Sequence, residues 1–132
     1  MAEVVVVPAG KLGHDTAQTP GLQRLEAVSA KLTGSQSLWM GLSVLPPGAR
    51  TGVHHHGESE TAIYVRRGTG RWWAGDNLDQ MHEARPGDFV FIPPHVVHWE
   101  ENGSDTEPVE MIIARSTQEA IVVNLDDRPP RC

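Results

Sequence analysis

The sequence predicts an all-β protein, a sandwich or barrel of short antiparallel strands. Three observations carry this. From residue 38 onward, runs rich in β-branched and aromatic residues follow one another at short intervals. Thirteen glycines and ten prolines in 132 residues break the chain into short pieces, with turn signals between the runs. No helical crossover pattern separates the runs after residue 38, which argues against a parallel α/β sheet.

The elements follow in chain order. Val4 to Val7 is a β-branched run closed by Pro8, and it reads as a strand. Its uniform hydrophobicity predicts that both faces are covered, with a neighbouring subunit as the cover, so a homodimer is expected. In residues 8 to 35, Leu22, Leu25 and Val28 recur every three residues, which fits a short helix or an arm lying across the body. The candidate strands are then Leu38–Leu45, Gly52–Glu58, Thr61–Arg66, Gly70–Ala74, Gln80–Ala84, Asp88–Ile92, Val97–Glu101, Val109–Ala114 and Ala120–Asn124. Turn clusters such as Pro46-Pro47-Gly48, Pro86-Gly87 and Pro93-Pro94 lie between them. One domain spans residues 1–132, with a strand and arm over 1–37, a barrel core over 38–124, and a proline-rich tail over 125–132 that is expected to fray.

Composition narrows the function classes. The formal net charge is −6, and a surface of that sign repels a phosphate backbone, so nucleic acid is not expected as a partner. The single cysteine, Cys132, permits neither an internal disulfide nor a cysteine metal cluster. No apolar run approaches the ~20 residues needed to span a bilayer. Glu3 and the lack of a basic leader do not fit a signal peptide, so a soluble, cytoplasmic protein with no membrane partner is expected.

The chemistry concentrates in TGVHHHGESETAIYV, residues 51–65. An internal run of three histidines is not a purification tag. In a strand, alternate side chains share a face, so His54 and His56 point one way and His55 the other. If extension continues, Glu58 and Glu60 join His54 and His56, and two imidazoles with a carboxylate make most of a site for a divalent transition metal. The competing reading is ordinary solvated polar surface. A second stretch, PGDFVFIPPHVVHWEEN over residues 86–102, adds His98 on a separate strand, sharing its side with Val96 and Glu100.

Together the two stretches resemble the two motifs of the cupin superfamily. Gly48 is followed by five residues, then His54-x-His56, three residues and Glu60. Gly87 is followed by five residues, then Pro93, Pro94 and His95, two residues, His98, three residues and Asn102. The resemblance covers about residues 38–124 and implies a small antiparallel jelly-roll barrel, the double-stranded β-helix, here with an N-terminal arm. It implies one divalent metal (Fe, Mn, Ni or Zn) held by His54, His56, Glu60 and His98, with Gly48 and Gly87 serving turns. Two departures stand out. Seven residues separate Glu60 from Gly68, one more than the pattern, and counting back six from Gly68 lands on Thr61. Either a bulge absorbs the extra residue, which is the expectation, or the glutamate position is lost. His95 replaces a glycine, and fits if its turn does not demand a positive φ.

Further pocket candidates are Tyr64, which shares parity with Glu60, together with Trp39, Trp72 and His95; each is equally readable as packing or solvated surface. His55 is expected to face away from the metal in a structural hydrogen bond. No serine-nucleophile, phosphate-loop or dinucleotide motif competes. The resemblance implies a metal-dependent enzyme on a small organic substrate, of dioxygenase, isomerase, lyase or cyclase type, with no catalytic residue assigned. The alternative is a non-catalytic cupin that binds a small molecule.

Overall fold

A computed structural model describes residues 3–117 and 121–126. Among the described residues there are ten strands: β1 Gln23–Val28, β2 Trp39–Leu45, β3 Val53–His55, β4 Thr61–Arg67, β5 Gly70–Ala74, β6 Gln80–Ala84, β7 Phe89–Ile92, β8 Trp99–Asn102, β9 Val109–Arg115 and β10 Val123–Asp126. Besides a 3-10 turn at Ala9–Lys11, a short α-helix, α1 (Ala30–Thr33), starts at Ser29, whose side chain accepts from the Leu32 N–H, and ends at Gly34 in the left-handed conformation. Among the described residues no helix is long and apolar enough to cross a membrane.

All strand pairs are antiparallel. One sheet runs β1-β2-β9-β4-β7. The other begins as two pieces, β10-β3 and β6-β5-β8, which the bridges His54↔His98 and Arg50↔Glu101 join through β3 and β8. Two layers closed on each other in this order form an antiparallel jelly roll, as the sequence predicts. The core between the layers includes Leu45, Ile63, Val65, Val109, Met111 and Ile113, with Trp39 and Trp72 fully packed among them. β4, up to Val65, and β9 alternate, their odd-numbered members inward, because one face meets the core and the other water.

Two N-terminal expectations change. Val4–Val7 is not a strand: the segment has no ladder partner among the described residues, and Val4 is 94% exposed. β propensity without a neighbouring strand leaves the run unpaired. Conversely, residues 23–28, which fit a helix or arm in sequence, form β1 and extend the first sheet by pairing with β2. The three-residue spacing of Leu22, Leu25 and Val28 misleads because the buried members of β1 are polar. Arg24 and Glu26 point inward, while Leu25 and Ala27 are only half-buried. At the other end, β10 runs to Asp126, two residues into the expected tail; residues 127–132 lie outside the described residues.

Candidate metal centre

The site is built where β3 faces the residue just before β8. His54 and His98 are directly opposed, each backbone N–H donating to the other's carbonyl at 2.9 Å. A directly opposed pair projects its side chains to the same face, here the barrel interior. His56, one residue beyond β3, keeps the alternation and joins them. The ring centroids lie 4.3 Å (His54–His98), 5.0 Å (His54–His56) and 5.2 Å (His56–His98) apart.

Each ring is oriented by a carbonyl. His54 Nδ1–H donates to Gly52 O at 2.8 Å, His56 Nδ1–H to Ile121 O at 2.9 Å, and His98 Nδ1–H to Val96 O at 3.0 Å. Anchoring Nδ1 fixes the tautomer and leaves Nε2 with its lone pair. The Nε2 atoms of His54 and His98 are buried and have no hydrogen-bond partner among the described residues. Burial lowers all three imidazoles: His98 falls to about 4, and His54 and His56 lie well below the usual histidine range. The rings are therefore neutral at physiological pH, the form a metal requires. One ligand atom from each of the three histidines lies within 4.8 Å of the others. Two nitrogens each about 2.1 Å from a shared ion stand at most about 4.2 Å apart, so closing onto an ion needs only small ring movements. The donor set fits a divalent transition metal.

Glu60 does not join this cluster. It is exposed, and its backbone N–H is tied to Ser116 Oγ at 2.9 Å. The cause is local. Gly57 adopts φ 56°, a left-handed turn, and the chain bends before β4 begins. The bend resets the alternation, so Thr61, Ile63 and Val65 point inward while Glu60, Ala62 and Tyr64 point out. The same reset removes Tyr64 from the pocket; it is half exposed and packs on Phe89, with ring centroids 4.9 Å apart. Thr61, the residue reached by counting from Gly68, is the one that enters the barrel.

Other candidates divide similarly. Trp39 is buried under the Arg115 guanidinium, 5.4 Å from the ring centroid, and is a core residue. Trp72 is buried too, and with His98 it lines a cavity of about 490 Å³ between β5, β6 and β7. His95 is exposed, with φ 62°, so the turn does demand the left-handed region and the histidine accepts it. Its N–H donates to Gly57 O at 2.7 Å. His55 turns away from the cluster and accepts from the Gly57 N–H at 3.0 Å. Asn102 ties loops together, its side-chain amide donating to the carbonyls of Leu45, Pro46 and Glu107 at 3.1, 3.0 and 2.7 Å.

Three charged residues beside the cluster are not marked by either motif. Glu100 is buried, with Oε1 3.7 Å from His54 Nε2, and burial raises its pKa against the pull of Arg24 and Arg115. Arg24 and Arg115 are 1% and 2% exposed. Strand parity gives signals for two of them: Glu100 alternates with His98, and Arg115 extends the inward series of Val109, Met111 and Ile113 by one step.

A jelly-roll barrel with a three-histidine site inside defines a protein able to hold one metal ion on its interior wall. The cupin domain model matches residues 41–115, more than half of the chain, and the chain belongs to the cupin family. Protein SchB of Streptomyces halstedii is 36% identical over 92 residues, 67% of this chain and 64% of SchB. The chain thus spans just under two thirds of that relative. Oxalate decarboxylase of Bacillus subtilis superposes with a TM-score of 0.72 at 21% identity, over 84% of this chain and 29% of that one. Peruvianin-I, a cysteine peptidase from Thevetia peruviana latex, superposes with a TM-score of 0.74 at 19% identity, over 93% and 78%. These two likenesses describe the fold.

Proposed function

We propose that the protein is an enzyme that uses one divalent metal, held by His54, His56 and His98, on a small organic substrate. One observation carries this reading: three neutral imidazoles, each anchored at Nδ1 by a carbonyl, converge beside a cavity that reaches His98. When bound, the metal supplies Lewis acidity toward a substrate oxygen or a water. The chain does the rest. Gly52, Ile121 and Val96 hold the rings, Trp39 and Trp72 exclude water, and Glu100 sets a carboxyl group beside the cluster. A three-histidine set leaves coordination positions for substrate, in the manner of catalytic rather than structural sites. The Mn(II) centers of Bacillus subtilis oxalate decarboxylase, a fold neighbour, favour manganese within the iron, manganese, nickel and zinc group.

Elemental analysis of untagged protein after supplementation with those four metals is the direct test. The expected result is one equivalent in wild type and loss in His98→Ala. A screen of carbonyl, diketone and sugar-acid substrates with oxygen uptake recorded then separates turnover from mere binding. Turnover that persists unchanged in His54→Ala and His98→Ala would remove the metal from the mechanism.

A further inference from the structure

The interior carries more positive charge than it neutralises. Arg24 Nη1 donates to Thr19 Oγ1 at 2.8 Å and to Ala17 O at 3.3 Å, but its Nε has no partner among the described residues. Arg115 Nε donates to Thr61 Oγ1 at 3.3 Å, and its Nη1 likewise has none. The hydroxyl of Ser43, which pairs with Arg24 across β1 and β2, is a third buried polar atom without a partner. No carboxylate among the described residues lies within ion-pair distance of either guanidinium; Glu100 Oε1 instead approaches the neutral His54 ring.

Burial lowers Arg24 to about 10 and Arg115 to about 9, so both remain cationic near neutrality. Of the two buried carboxylates, Glu26 is engaged by Ser29 Oγ and Lys31, so the two buried cations are left with Glu100 alone, before any metal adds its own charge. An uncompensated buried charge is strongly destabilising, and a buried N–H without an acceptor adds to that cost. Arg24 and Arg115 enter from the strands of one sheet and the histidines from the other, so the unpartnered donors and the imidazole nitrogens face a common interior. A cavity of about 490 Å³, the size of a small-molecule pocket, reaches Trp72 and His98 at the edge of the cluster, though neither guanidinium lines it.

We propose that this interior is an oxyanion site, built for a small acidic molecule (a carboxylate or an enolate) whose charged oxygens are held by Arg115 and Arg24 beside the histidine cluster. The proposal names the substrate class of the site proposed above and rests on that reading for the metal, but its guanidinium half stands on separate residues.

Calorimetric titration tests it with salicylate and its uncharged counterpart salicylamide, on metal-free and manganese-supplemented protein. Wild type is expected to bind salicylate at least tenfold more tightly than salicylamide. Arg115→Met is expected to lose that preference with its metal content unchanged, and Arg115→Lys to restore part of it. Arg66→Met, on the outer surface, is the control and should behave as wild type. Equal affinities for the two probes in wild type, binding of neither, or a preference that survives in Arg115→Met would each overturn the proposal. If Arg115→Met does not fold, the wild-type comparison and Arg115→Lys decide the matter. A preference that depends on Arg115 in protein that loads no metal would sustain the anion site and end the metal reading instead.

Discussion

His54 and His98 lie forty-four positions apart in sequence and directly opposite each other in space, joined by two backbone hydrogen bonds of 2.9 Å with ring centroids 4.3 Å apart. Their alignment is set by the main chain, so it survives loss of either side chain. His98→Ala is therefore expected to fold and to bind metal at least about tenfold more weakly. Metal content after dialysis, together with a wild-type-like circular dichroism spectrum, checks both halves of this statement.

The metal-free protein should lose stability as the pH falls from 6.5 toward about 4. His98 has its folded pKa depressed to about 4 from 6.5, so between those values the unfolded chain binds more protons. Stability then rises with pH across the window, by roughly 3 kcal/mol for this group at about 1.4 kcal/mol per unit. His54 and His56 act in the same direction. Glu100 opposes them, since a carboxylate with a raised pKa penalises the fold as pH rises. Urea melts at pH 7.5, 6 and 5 measure the slope, which should be shallower in His98→Asn.

Glu60 and Thr61 are adjacent, and their substitutions should have opposite consequences. Glu60→Ala removes an exposed side chain and should leave metal content unchanged, with stability within about 0.5 kcal/mol of wild type. Thr61→Val removes the acceptor for Arg115 Nε and should cost about 1–3 kcal/mol, read from the same melts.

That contrast shows what the sequence can and cannot disclose. Period-two alternation places His54, His56 and His98 inward because each stands on or beside an uninterrupted strand. It fails for Glu60 and Tyr64 when carried through Gly57, where one left-handed residue shifts every later side chain to the other face. The extra residue before Gly68 is the visible trace of that shift. β1 is hidden for a different reason: Arg24 and Glu26 are its inward members, and a strand whose buried face is charged reverses the pattern by which strands are recognised. Gly70–Ala74 and Gln80–Ala84 are legible to the residue, their ends marked by turn residues on either side.

His95→Gly should stabilise the protein. A non-glycine residue at φ 62° carries a strain of about 1 kcal/mol that glycine does not. Some of that gain is offset by the greater freedom of glycine in the unfolded chain, so a rise in Tm of about 1–3 °C is expected by calorimetry.

Self-association is the remaining expectation from sequence, and we propose it on new grounds. Leu25, Leu42, Ile112, Tyr64 and Phe89 form one apolar row across the outer face of the first sheet, and Phe89 is 79% exposed. A second copy packed against this face would cover the row. Sedimentation should give a dimer that Phe89→Asp converts to monomer; a monomeric wild type would end the proposal.

His56 draws its orientation from Ile121, a residue beyond the cupin match at 41–115, and among the described residues β3 takes β10 as its ladder partner. The last segment of the chain is thus a working part of the centre. A deletion ending near residue 117 would leave most of the barrel in place yet let one imidazole swing free. Tags or fusions are better placed at the N-terminus, where Val4 and its neighbours stand clear of the barrel.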